Sequence, residues 1–255
     1  MAPDTDTGGS GADRFEDPPL DHSSISTQPE QPRPTLISYL VLGLLVIVWP
    51  VSAFYFLDSQ HDLATDVVSP ILEIYLPTIL VQLLIVGMIA VAMKSEHARS
   101  GNIGLKNFTR WSVPLAIGFL LMANIALASL QAMIATGSPE SFVEFGALLP
   151  KTVAEKLTWV LLCAVVAVCE EVTFRGYVMT RVTQIANGRM WLGVLVSTLS
   201  FASGHLYQGL GGFAIIFVYG LMFCALCLYS GSLYPAIIAH FLQDVMVLFI
   251  PESMR

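Results

Sequence analysis

The stretch Cys163–Arg181, CAVVAVCEEVTFRGYVMTR, sets two adjacent glutamates and an arginine inside an apolar run of the kind that lies in a lipid bilayer. A carboxylate at hydrocarbon depth costs roughly 2.5 to 3.5 kcal/mol even on insertion scales, so a membrane helix carrying two of them implies chemistry or transport. On a helix, Glu171 and Arg175 stand at i,i+4 with the acid N-terminal to the base, the favourable orientation for an ion pair. A rotation of about 100° per residue carries Glu170 off that stripe and toward Phe174. The pattern predicts one structural carboxylate and one able to react.

The chain around this stretch is built for a bilayer. Of 255 residues, 55% are hydrophobic and only 12% charged, with a mean hydropathy of +0.70. That composition predicts an all-α, polytopic transmembrane helical bundle and excludes an ordinary soluble domain. The formal charge of −7 identifies no partner, because the acids gather in the first 35 residues and in loops, and nothing supports nucleic-acid binding. Residues 1–35 hold seven acids, two arginines and six prolines with few large apolar side chains, the composition of a disordered tail. Residues 36–255 form the predicted transmembrane domain. No basic segment precedes a short apolar stretch at the N-terminus, so the first apolar segment is expected to be a retained anchor. Cys163, Cys169, Cys224 and Cys227 all fall in apolar runs and read as small packing residues rather than a disulfide framework.

Apolar segments occur at about 36–57, 71–93, 113–135, 157–182, 191–203, 213–229 and 233–250, giving seven spans, or eight if the 136–156 loop or the C-terminal part hides another. Pro50 is expected to kink the first. The loop 94–110 carries Lys94, Arg99, Lys106 and Arg110 against Glu96 alone, which makes it cytoplasmic. Its NIGLKNF stretch is a candidate interfacial helix, and Asn124 and Gln131 read as interhelical hydrogen-bonding groups. The expected setting is the plasma membrane, with a cytoplasmic N-terminus and lipid as the surrounding partner. Glu170 and His240 then fall in the cytoplasmic half of their spans. His205 counts about 24 Å along its helix from Arg189, a mismatch that a break near Gly204 or Gly209–Gly212 would relieve.

Between Leu157 and Ile250 the charged residues are Glu170, Glu171, Arg175, Arg181, Arg189 and Asp244, joined by His205 and His240. Nearly all belong to three short patterns: EEVTFR at Glu170–Arg175, FASGH at Phe201–His205 and HFLQD at His240–Asp244. Two histidines and a glutamate from three helices can hold and deprotonate a water. The same Glu170, His205 and His240 could instead ligate zinc as a His₂Glu set with an open position. There is no HExxH, so any metal ligands must be assembled across helices.

EExxxR, FxxxH and HxxxD, in that order on successive membrane segments, resemble the CPBP family, the CAAX prenyl protease and bacteriocin-processing intramembrane proteases also called Abi proteins. The likeness covers roughly 157–250, the expected catalytic core. It implies Glu170 as the general base that activates water, His205 as its partner on that water, and Glu171 with Arg175 as the pair that fixes the helix. It also implies His240 and the residue four further on as stabilisers of the oxyanion. The prenyl proteases carry asparagine at that last position. Asp244 stands there instead, and an ionised aspartate cannot donate to an oxyanion; it must be protonated, orient His240 or help bind a metal.

The expected activity is an intramembrane endopeptidase acting on a membrane-associated or lipidated peptide. Two other functions are compatible with polar groups at membrane depth. A proton- or cation-coupled transporter predicts repeats in both halves of the chain, which the sequence lacks. A non-catalytic scaffold would use the same groups as interhelical glue.

Overall fold

In the computed structural model the described residues are 32–57, 67–138 and 148–249, and among them the chain is all helix with no strand. Most of the acidic tail and part of the 136–156 loop lie outside these residues. Five helices are long and apolar enough to cross a membrane: α1 (Leu36–Tyr55), α2 (Ile71–Ser95), α3 (Ser112–Gly137), α4 (Val153–Ile185) and a fifth from Leu206 to Ser230, whose α-helical part, Gly209–Ser230, is α6. Two shorter apolar helices complete the bundle, α5 (Met190–Ser203) and α7 (Tyr234–Val245). The seven apolar segments expected from hydropathy are thus all helical.

The helix starts follow local chemistry. Thr152 and Glu155 form a capping box: Thr152 Oγ1 accepts from Glu155 N at 3.2 Å and Glu155 Oε2 accepts from Thr152 N at 3.1 Å. That motif opens α4 at Val153, a turn before the hydropathy rises. Thr35 caps α1 in the same way with Ser38, and its hydroxyl also meets Ser95 Oγ at the end of α2, 2.6 Å away. One turn of chain earlier, Pro32 O accepts from Gln184 Nε2 at 2.8 Å.

Pro50 and Pro77 each lie just after a π-helical stretch, Leu44–Val48 and Ile71–Tyr75. A proline ring clashes with the carbonyl four residues back, and a widened turn there accommodates it without ending the helix. Pro50, where a kink is expected, follows such a widened turn. A third π-helical stretch, Glu171–Val178, contains no proline and is buried throughout.

α4 is the centre of the bundle. Its first half packs against α2 and α7, and its last turns against α5. Gly193 of α5 permits that last contact, because a Cβ there would stand 2.1 Å from Thr183 Oγ1 and 2.5 Å from Met179 O. The segment expected as an interfacial helix is different: only Ser100–Ile103 is helical, as a 3₁₀ turn, and the chain then runs irregularly to Thr109. It pairs with the α6–α7 turn, where Leu233 N donates to Gly104 O at 2.9 Å and Ser232 Oγ donates to Lys106 O at 2.7 Å. Those bonds draw the 100–106 loop inward, so that Ile103 and Leu233 are both buried.

Candidate active site

The two adjacent acids face different partners. Glu171, at 0% exposure, accepts on Oε1 from Arg175 Nη1 at 3.0 Å and meets His240 Nδ1 at 2.9 Å. A carboxylate can only accept, so the imidazole Nδ1–H is the donor. Glu171 therefore ties a π-helical turn of α4 to α7. The guanidinium of Arg175 lies over the Phe201 ring, 4.1 Å from its centroid, and 5.1 Å from that of Phe223, a cation–π sandwich that helps hold a fully buried charge. Its Nη2 also donates to Gly220 O at 3.5 Å, and Gly220 leaves room because a Cβ there would come within 3.4 Å of that nitrogen.

Glu170 is held from a helix that motif reading had not connected with the site. Gln82, on the buried stripe of α2 with Ile79, Ile85 and Ile89, donates Nε2 to Glu170 Oε1 at 2.8 Å. Oε2 has no hydrogen-bond partner among the described residues and lies 3.7 Å from His240 Nε2. The only sequence signal for Gln82 was an amide at the middle of an apolar span.

His240 stands among three carboxylates. Its Nδ1 is committed to Glu171, and its Nε2 faces Glu170 Oε2 and, at 3.6 Å, Asp244 Oδ2 one turn along α7. Asp244 is partly open, with 31% of its side chain exposed. The neighbouring Gln243 accepts from Asn124 Nδ2 at 2.9 Å and Tyr219 Oη at 3.3 Å, which pins α7 to α3 and α6.

His205 lies outside a helix. α5 ends at Ser203, a 3₁₀ turn follows at Leu206–Gln208, and Gly209 adopts φ +80°. In that turn His205 Nδ1 meets the carbonyl of Phe201 at 3.2 Å. A carbonyl can only accept, so Nδ1 carries the proton, and in the neutral ring Nε2 keeps its lone pair. The break expected near Gly204 is therefore present. Glu170 and His205 stand at similar distances from the basic end, and Glu170 lies farther from it than its expected place in the cytoplasmic half of the span. Glu170 is 15 residues from the end of α4 at Ile185, about 22 Å, and the end of α5 near His205 is about 20 Å from Met190. His240 reaches the same level because α7 starts deep: Leu233 sits against Gly176, where a Cβ would be 3.2 Å from Leu233 Cδ1.

Glu170, His205, His240 and Asp244 all line one cavity of about 650 Å³, together with Gln82, Phe174, Phe201 and Trp49. Glu171 and Arg175 are not among its lining residues. The indole Nε1 of Trp49 is buried without an acceptor among the described residues and packs edge-on against Gly204. Among the described residues no group of three or more His, Cys, Asp and Glu side chains is clustered as a metal site.

No curated protein and no solved structure matches the chain. A family model does, over residues 152–246: Type II CAAX prenyl endopeptidase Rce1-like. The part of the chain that supplies Glu170, Glu171, Arg175, His205, His240 and Asp244 is thus similar to the Rce1-like CAAX prenyl endopeptidases, the family to which its three motifs pointed.

Proposed function

We propose that the protein is an integral membrane endopeptidase that hydrolyses a peptide bond in a membrane-associated peptide, prenylated peptides being one form of it, with Glu170 as general base. One observation carries the reading: Glu170 presents to the cavity that His205, His240 and Asp244 also line a buried carboxylate oxygen with no hydrogen-bond partner among the described residues. Oε2 removes a proton from water, the hydroxide oxygen bonds to the scissile carbonyl carbon, and the carbonyl oxygen takes up the negative charge. Glu170 then returns the proton to the nitrogen as the C–N bond breaks, leaving a carboxylic acid and an amine. His205, with Nε2 as an acceptor, orients the water.

His240 can donate to the oxyanion only from Nε2–H, and with Nδ1–H already given to Glu171 this requires the imidazolium. Glu170, Glu171 and Asp244 surround that ring with compensating charge. Asp244 in this scheme acts through His240 and does not itself touch the oxyanion.

The test is turnover of a fluorogenic membrane peptide by purified protein. Glu170→Gln keeps the shape and the reach to Gln82 and is expected to lower kcat by at least about 100-fold, the scale of a lost general base, with an unchanged melting profile. Full activity in that variant would refute the assignment. No step requires a metal, so chelation is expected to leave the rate unaltered. Loss on chelation with recovery on added zinc would recast Glu170 and His240 as ligands.

Supporting an orientation, Lys94, Arg99, Lys106, Arg110 and Arg189 fall in the segments at one end of the bundle, the end that also holds Thr35 and Ser95. By the positive-inside rule we take that end as cytoplasmic, with the N-terminus inside, and propose the plasma membrane as the setting.

A further inference from the structure

An amide has two ends, and Glu170 accounts for only one end of Gln82. Gln82 is 6% exposed and sits on α2, outside the 152–246 segment that carries the family likeness. Its Nε2 donates to Glu170 Oε1 at 2.8 Å. An ionised carboxylate only accepts, so the amide nitrogen must face Glu170 and the amide oxygen must point away from it. That oxygen has no hydrogen-bond partner among the described residues and is not enclosed by protein atoms. Gln82 lines the cavity, so its Oε1 opens onto the space beside Glu170. An acceptor left without a donor inside a protein carries a desolvation cost that a bound N–H removes.

Thr78 stands one turn from Gln82 on the same face of α2, at i,i+4, and lines the same cavity. Its hydroxyl also has no partner among the described residues. Four residues of α-helix rise about 6 Å. Along one edge of an extended peptide the backbone N–H and C=O groups recur every second residue, about 6.6 Å apart. The two repeats agree closely enough for both side chains to bond one strand. Leu127 and Ala128 of α3 and Ile215 and Ile216 of α6 add apolar wall for the side chains of that strand.

We propose that Gln82 binds substrate as well as Glu170: its Oε1 accepts from a backbone N–H of an extended apolar peptide, and Thr78 bonds the same edge of that peptide two residues along. Gln82 can only accept at this end, so it takes an N–H, whereas a hydroxyl takes either backbone group. Nε2 and Oε1 share one amide carbon, so the bound N–H falls within about two residues of the bond that Glu170 serves. One side chain thereby sets the base and the peptide in register. This deepens the endopeptidase reading and rests on it for the word substrate, while the peptide contact rests on the geometry of α2.

The experiment measures coupling between protein and peptide with the full-length chain in detergent. A fluorogenic apolar peptide is compared with analogues in which one backbone N–H at a time is replaced by an ester oxygen. In the unsubstituted protein one analogue near the cleaved bond is expected to lose about 5-fold in kcat/KM, the scale of one net hydrogen bond. In Gln82→Leu the same analogue is expected to lose nothing further against the parent peptide, whereas a purely structural role for Gln82 would leave the ester penalty in place. Thr78→Val, which does not touch Glu170, is expected to erase the penalty of a second analogue changed two or three residues away, and it keeps the test open if Gln82→Leu does not fold. If the unsubstituted protein cleaves none of the peptides, their dissociation constants are compared in the same way. Variant-dependent penalties in binding without turnover leave the backbone contact standing and remove the protease reading. Ester penalties that are the same in the unsubstituted protein and the variants, or no binding of the parent peptide, overturn the proposal, and turnover alongside equal penalties leaves the protease reading intact.

Discussion

Glu170 and Glu171 are neighbours in sequence and opposites in surroundings, so their substitutions separate activity from stability. Glu171→Gln removes the one carboxylate that Arg175 and His240 share, and leaves a guanidinium buried at 1% exposure without its counter-charge. Breaking a buried ion pair from one side destabilises by roughly 3 to 5 kcal/mol, so detergent-phase thermal unfolding is expected to show a large drop for Glu171→Gln and almost none for Glu170→Gln. Equal drops would mean that Glu170 is as structural as its neighbour. The division between the two acids was legible in the sequence because i,i+4 spacing to Arg175 selects Glu171 and rotation excludes Glu170. The hold on Glu170 was not. Gln82 carries no motif, and a single amide in an apolar span looks the same whether it bonds a helix backbone or a buried carboxylate on another helix.

At the scale of the element, hydropathy located the helices while hydrogen bonding decided their ends and their pitch. The Thr152–Glu155 box starts α4 earlier than apolarity alone indicates, and the π-helical turn at Glu171–Val178 leaves no mark in side-chain type. α5 is the clearest case. The sequence runs apolar toward His205, whereas the helix stops at Ser203 and hands His205 to a turn that lines the same cavity as Glu170. The short α5 must be packed tightly to hold that turn in place, and Gly193 is where it meets α4. Gly193→Ala would force a Cβ against the Met179 carbonyl 2.5 Å away, a backbone atom that cannot swing aside. Overpacking of this kind typically costs about 1 to 3 kcal/mol, and the variant is expected to unfold at lower temperature and lose turnover with it. Gly87→Ala, with nothing within 4 Å of the new methyl, serves as the contrast and is expected to be neutral or mildly stabilising. A neutral Gly193→Ala would mean that α4 and α5 can separate without consequence.

For the whole molecule, the family resemblance and the site have different extents. Residues 152–246 carry the three motifs, yet Gln82 on α2 and Trp49 on α1 line the same cavity, and α3 supplies one of its walls. The front half, which reads in sequence as lipid contact and packing, also completes the site. A chain of residues 148–255 alone is therefore expected to give no turnover, with activity regained when residues 32–138 are co-expressed as a separate piece. Activity in the lone C-terminal piece would show that the front half is dispensable. The broad apolar exposure of α1, α2 and α3 agrees with a bilayer on that side, since Leu40, Leu80 and Leu121 are each at least 65% exposed.

The clasp at the start of α1 has a practical bearing on how the protein can be handled. Pro32 is bonded to Gln184 on α4 and Thr35 to Ser95 on α2, so the polypeptide is moored to two other helices before it enters the first span. Force or bulk applied upstream falls on that mooring before it reaches the cavity. Fluorescent reporters, affinity handles or surface tethers joined ahead of Pro32 should accordingly leave the working end of the molecule undisturbed.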